Sequence, residues 1–358
     1  MFLSKYIATS FGKLILRLGC LTLASGCLSP IDAPSDGVGG RLVVTGQISP
    51  IADQNIVQLG STAFISQLPF PVVGAAVTLY DDVGGIYSYV EDPMKEGTYI
   101  LDNISGVPGR TYYIQIVTPS GRTFESTPEK MPENTGTLKT GYDITDEDYT
   151  DAEGIQLRKP FLNVYANSVL PDSESLYLKW TVEEVFLLSP TDFPDPFGQI
   201  PPPCFVSQIA DPQRITLFNG VDVKTTQIDG HLVASRIIDW TFYERHYFTT
   251  VQSSLTREAY EYWRKVDILA NQVGSIFDTP PAEIKGNVFN VANREDTALG
   301  YFQATNQVLD RFYLVPYDLP FTLTMPSCTY YDNRYEYPQR CLDCLSVRNS
   351  SYNRPPWF

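Results

Sequence analysis

The chain has 358 residues, and its 26 basic and 41 acidic side chains leave a formal charge of -15. That balance excludes a nucleic-acid surface, since a polyphosphate strand is repelled and no basic stripe offsets the repulsion. Hydrophobic residues make up 43% of the chain, enough for two globular cores, while abundant Tyr and Phe broken by frequent Pro and Gly favour β-sheet over helix.

At the N-terminus, Lys5, Lys13 and Arg17 precede a short apolar run, Leu18 to Ala24, that ends at Gly26-Cys27. This reads as a lipoprotein signal over residues 1–26, with the mature chain beginning at a lipidated Cys27. Cys20 follows Arg17-Leu18-Gly19, a poor context for lipidation, and the seven apolar residues fall far short of the roughly 20 needed to span a bilayer. Acyl chains of the palmitate type bury about 0.8 kcal/mol per methylene, so lipid on Cys27 holds the domain on a membrane without a spanning helix. Cleavage removes three basic residues and no acids, so the charge falls from -15 to -18.

Residues 27–38 form a flexible tether. Residues 39–138 carry short strand signals at Leu42–Ile48, Val73–Tyr80, Ile86–Val90, Gly97–Leu101, Thr111–Val117 and Thr123–Ser126, the pattern of an immunoglobulin-like β-sandwich. Residues 139–156 include Asp143, Asp146, Glu147, Asp148, Asp151 and Glu153 and read as an acidic linker. A calcium loop fails there because Leu157 stands where the closing carboxylate is needed.

Residues 157–358 read as a second β-rich, sandwich-like domain with strands at Pro160–Ala166, Leu176–Leu188, Arg214–Phe218, His231–Phe242 and Arg245–Gln252. One helix is predicted near 256–273, capped by Thr256 and ended by Gly274, with Tyr262, Val266, Leu269 and Val273 forming the stripe that packs on the sheet. Strands follow at Ala298–Ala304 and Arg311–Val315. Beyond Cys27 the mature chain holds Cys204, Cys328, Cys341 and Cys344. An even number in an exported protein predicts two disulfides that tie the C-terminal tail to the Cys204 loop, with three pairings open. Cys341-Leu342-Asp343-Cys344 lacks both a helix setting for redox work and a second pair for zinc.

Tyr260-Glu261-Tyr262-Trp263, the phrase Phe277 to Ala282, Gly286-Asn287-Val288, Leu299-Gly300-Tyr301-Phe302, Cys341-x-x-Cys344 and Pro355-Pro356-Trp357 resemble an uncharacterised lipoprotein family of Bacteroidota, a domain of unknown function. Val44-Thr45-Gly46, Pro71 to Val77 and Gly106 to Tyr112 are similar to the carboxypeptidase regulatory-like, immunoglobulin-type sandwich. The resemblance covers nearly all of the mature chain. It implies an outer-membrane companion of a TonB-dependent receptor in nutrient uptake, and it brings no catalytic residues. Surface-displayed lipoproteins of this phylum often carry an acidic run after the lipid cysteine. Here only Asp32 and Asp36 are near, so either leaflet stays open.

Catalytic signatures are missing from the sequence: His231 and His246 lie in strand signals with no metal spacing, and no G-x-S-x-G elbow or phosphate loop occurs. No cofactor or metal is expected. Two segments read as recognition surfaces. The proline-rich loop Ser189 to Pro203 either presents Phe193 and Phe197 to a partner or packs them back on the sheet. The aromatic tail, with Trp357 and Phe358 at its end, has the composition to stack on a peptide or glycan. A non-catalytic binding or assembly role is the first expectation. An envelope hydrolase of glycan or peptide, or a surface adhesin, is the alternative.

Overall fold

A computed structural model describes residues 40–62, 69–151, 153–171, 176–188, 202–223, 225–271, 284–323 and 343–358. Cys27, Phe193, Phe197, Cys328 and Cys341 lie outside the described residues. The molecule is mainly β, with one α-helix among the described residues, and Arg41–Phe358 form one compact unit.

The first ten strands are β1 (Leu42–Ile48), β2 (Ile56–Ser61), β3 (Phe70–Pro71), β4 (Ala76–Asp81), β5 (Ile86–Ser88), β6 (Val90–Glu91), β7 (Thr98–Ile100), β8 (Thr111–Val117), β9 (Thr123–Ser126) and β10 (Glu129–Lys130). Then come β11 (Lys139–Thr150), β12 (Gln156–Val169), β13 (Tyr177–Leu188), β14 (Cys204–Ile209), β15 (Thr216–Asn219), β16 (Gln227–Ile237), β17 (His246–Leu255) and helix α1 (Arg257–Asn271). After the helix lie β18 (Val288–Asn290), β19 (Leu299–Ala304), β20 (Asn306–Leu314) and β21 (Ser350–Ser351).

Alternation along the strands builds two sandwiches. In the first, sheets ordered β19-β1-β2-β7-β6 and β18-β9-β8-β4-β5 face each other across a core of Val44, Val57, Leu79, Ile114, Phe124 and Phe302. In the second, β11-β12-β16 packs on β20-β17-β13-β14-β21 around Leu162, Val164, Trp180, Ala234, Phe242 and Phe248. Each large side chain so buried contributes about 1.5–3 kcal/mol of transfer free energy.

β18 and β19 lie within the residues read from sequence as the second domain, yet they complete the first sandwich. β19 runs parallel to β1, with Val44 opposite Gly300, and β18 pairs antiparallel with β9. The reason is local. Gly300 holds φ +88°, and a Cβ on it would collide with the Val44 carbonyl, while a Cβ on Gly286 would collide with the Gly300 carbonyl. Only glycine permits both approaches. Asn287 then imitates a strand partner, donating to the Phe302 carbonyl at 2.7 Å and accepting from the Phe302 amide at 2.9 Å.

The acidic segment 139–156 is mostly strand rather than linker. β11 pairs with β12 from Lys139↔Asn167 to Thr150↔Gln156. Ile144 turns inward to the core, Tyr142 stacks on Phe312 at 4.9 Å, and the acids take exposed or half-buried positions beside them. Asp151 shapes the turn that follows by accepting from the Glu153 and Ile155 amides.

Helix α1 starts where expected, with Thr256 Oγ1 accepting from the Ala259 amide at 3.1 Å. Its packing differs from the predicted stripe. Ala259 and Tyr260 are buried, Tyr262 is half-buried and Leu269 is exposed, because the contacts with β13, β15, β17 and β19 fall on the first turns. Val273 lies outside the described residues. Glu129 ties this joint together, accepting from Tyr301 at 2.5 Å and from Thr256 at 2.6 Å. Burial raises its pKa above the ordinary carboxylate value despite these two donors.

Candidate functional site

The predicted strand His231–Phe242 ends early, at Ile237, because Asp239 caps a 3-10 turn at Trp240–Tyr243 by accepting from the Thr241 amide at 2.9 Å. That turn sets Arg236 and Asp239 beside β13 and β17 and creates a buried polar cluster. Glu184 and His246 are both wholly enclosed, with His246 Nε2 3.0 Å from Glu184 Oε2. Arg236 Nε reaches both Glu184 oxygens, at 3.1 and 3.0 Å, and its Nη1 reaches Asp239 at 3.3 Å. Gln208 donates a 2.5 Å hydrogen bond to Glu184 Oε1.

Burial by itself would raise the Glu184 pKa, yet the hydrogen bond from His246 and the Arg236 charge hold it below the usual carboxylate value. For His246 burial wins over the attraction of Glu184, and its pKa falls. The imidazole is therefore neutral, with its proton on Nε2 where Glu184 accepts, and Nδ1 is a buried acceptor without a donor among the described residues. Rings of Phe242, Phe248 and Phe186 surround it at 4.2, 4.6 and 5.0 Å.

His231 lies elsewhere, 5.0 Å from Trp180, with its pKa lowered by burial and by Arg214. Neither histidine lines either of the two clefts described below.

The first cleft, about 610 Å³, opens between β16 and β14, above Arg236. Gln208, Ser235, Arg236, Arg348 and Asn349 give it a polar lining, with Phe161 at one side. Nothing in the hydropathy pattern marks it, because its groups come from three separate elements and the tail.

The second cleft, about 800 Å³, is built by the C-terminal tail. Cys344 bonds to Cys204, so of the four cysteines read as disulfide partners these two pair, and Cys344 is joined to the loop rather than to its C-x-x-C neighbour. The bond closes a loop of 140 residues in sequence separation, and cross-links of this kind typically stabilise by about 2–4 kcal/mol. Downstream of it, β21 pairs with β14 at Phe205↔Ser351, and the last residues run across the β13–β17–β20 face.

There Trp357 lies over the Arg311 guanidinium at 3.7 Å and meets Tyr247 edge-on at 5.3 Å. Phe358 packs on Tyr247 and Phe205 at 4.8 and 4.9 Å, and Arg354 donates to its main-chain oxygen. Phe205, Phe358, Tyr243, Tyr317, Arg245 and Arg354 line the opening, and Tyr317 is 97% exposed. Of the sequence-predicted contact residues, Trp357 and Phe358 thus meet in one aromatic group. Tyr243, Arg245 and Tyr317 were not singled out in the sequence. A tyrosine flanked by proline in a short turn, as in Pro316-Tyr317-Asp318, was the available signal.

These features define a mainly β protein of two sandwiches whose one described disulfide stations an arginine- and aromatic-rich tail beside a cleft. The chain belongs to the DUF4249 family, described as a domain of unknown function, whose model matches residues 29–311. No curated protein matches it. Among solved structures, a chain described as "Biofilm associated protein - BSP domain" shares 7% identity at a TM-score of 0.14, over 78% of this chain. The match spans 60% of that structure's length, and its TM-score is too low to define a common fold.

Proposed function

We propose that this protein is a non-catalytic, lipid-anchored binding or assembly partner of a TonB-dependent receptor in the outer membrane of a Bacteroidota cell, serving nutrient uptake. The observation that carries the reading is the tail cleft. Tyr, Trp and Arg are the residues that dominate protein interfaces, because they offer large contact area and directional bonds at low ordering cost. Here Tyr243, Tyr317, Trp357 and Arg245 gather on one face, and the Cys204–Cys344 bond fixes the tail before a partner arrives. Preorganisation of this kind lowers the entropic cost of association.

The lipidation motif at Cys27 supports membrane attachment, and the family resemblance supports the receptor as partner. Deleting the gene in its native host tests the proposal. The expected result is a fall in the abundance of one TonB-dependent receptor or in uptake of its cargo. Unchanged receptor level and uptake contradict it.

A further inference from the structure

We propose that the cleft between β16 and β14, floored by Arg236, is a binding site for a saccharide bearing a carboxylate. The site is separate from the tail cleft and does not depend on the receptor reading. Its first support is the cluster beneath it. An ionised Glu184 enclosed in a β-sandwich core carries a desolvation cost of several kcal/mol, which hydrophobic packing of similar volume would avoid. What the cluster secures is position. Glu184, Asp239 and the Ile237 carbonyl hold the Arg236 fork from three sides, leaving its side chain 14% exposed at the cleft floor.

The second support is the balance of charge and hydrogen-bonding groups. Two guanidiniums and no carboxylate line the cleft. Arg236 is matched by Glu184 and Asp239, whereas Arg348 is exposed and makes no hydrogen bond or ion pair among the described residues. A free cation in a chain of charge -15 selects an anionic ligand, and a guanidinium fork matches a carboxylate in two bonds. The Asn349 amide and the Gln208 carbonyl supply planar donors and acceptors suited to vicinal hydroxyls. Phe161 and Pro212 offer flat apolar surface for the C–H face of a sugar ring. A volume near 610 Å³ falls within the range of small-ligand sites.

The test is calorimetry on the full chain in detergent, with three probes: tetragalacturonate, the neutral maltotetraose, and an acetylated Asp/Glu tetrapeptide of matching charge. Tetragalacturonate is expected to bind about tenfold more tightly than either of the others, a difference of about 1.4 kcal/mol. Arg348→Glu, at an exposed position that leaves the fold intact, is expected to weaken it about tenfold or more, and Phe161→Ala to weaken it as well. Lys265→Glu, on the exposed face of α1, controls for total charge. Equal binding of the neutral sugar or of the peptide, no binding at millimolar concentration, or indifference to Arg348→Glu overturns the proposal.

Discussion

His246 Nε2 lies 3.0 Å from Glu184 Oε2, and neither side chain reaches solvent. The pair joins an ionised carboxylate to a neutral imidazole, and that assignment has a pH signature. His246 titrates in the folded state below its ordinary value of 6.5, so the unfolded chain takes up a proton first as pH falls. Its contribution to stability is complete above about pH 6.5 and drains away below, by up to about 1.4 kcal/mol per pH unit. Glu184, held below its ordinary 4.5, loses its contribution only at lower pH, so the interval from 7 to 5 separates it from His246, while the contribution of His231 is common to wild type and variant and cancels in their difference. Urea denaturation of wild type and His246→Phe at these two pH values is expected to show a steeper acid loss in wild type. Parallel losses contradict the neutral assignment.

The approach of Gly300 to Val44 gives a second prediction. Gly300→Ala forces either a left-handed alanine or a shift of β1, both costly, and the expected loss is about 2–4 kcal/mol. The same substitution at Gly121, which also has positive φ but has open space around it, costs about 1 kcal/mol, because only the dihedral penalty applies. Thermal unfolding of both variants measures the difference, and equal losses would mean that the β1–β19 contact is looser than described.

Lys179 Nζ sits 3.6 Å from the Trp263 ring centroid, and burial pushes its pKa down to about 8 although part of the residue stays accessible. A base with a depressed pKa gains stability as pH rises, from the folded value toward the unfolded one of 10.5. Wild type is thus expected to become more stable relative to Lys179→Met between pH 8 and 10, with the variant at least as stable at pH 7. Denaturation midpoints across that interval check the sign, and a constant difference contradicts it.

Breaking the disulfide separates stability from presentation. Cys204→Ser with Cys344→Ser is expected to cost about 2–4 kcal/mol and to expose the tail to proteolysis after Ser346 while the two sandwiches persist. Limited digestion followed by mass determination reads this directly. Resistance of the tail equal to wild type would show that β21 and the aromatic contacts suffice without the bond.

Much of the fold was legible from strand periodicity and turn residues. Leu42–Ile48, Thr111–Val117 and Thr123–Ser126 are strands at the predicted bounds, and the Thr256 cap marks the helix start. β11 escaped because acids on its open positions masked Tyr142 and Ile144, whose alternation carries the pairing. The interleaving of β18 and β19 escaped because parallel pairing over some 250 residues leaves no local trace beyond Gly286, Asn287 and Gly300. Chemistry was less legible still. Glu184 lies 52 residues from Arg236 and 62 from His246, and it takes both the β13–β17 pairing and the turn capped by Asp239 to bring them together. In the tail the aromatic composition pointed to Trp357 and Phe358, while Tyr317 and Arg245 join them only through the fold.

The most direct measurement is purification of the full chain from the detergent-solubilised envelope of its native host, through a tag inserted in the Asp151–Ile155 turn so that the aromatic group around Phe358 stays unencumbered. Co-eluting proteins are quantified for wild type and for Tyr317→Ala with Trp357→Ala. The expected result is one TonB-dependent receptor in stoichiometric amount with wild type and markedly reduced with the variant. A chain that elutes alone, or a receptor retained equally by both, contradicts the assignment of the tail cleft to a receptor.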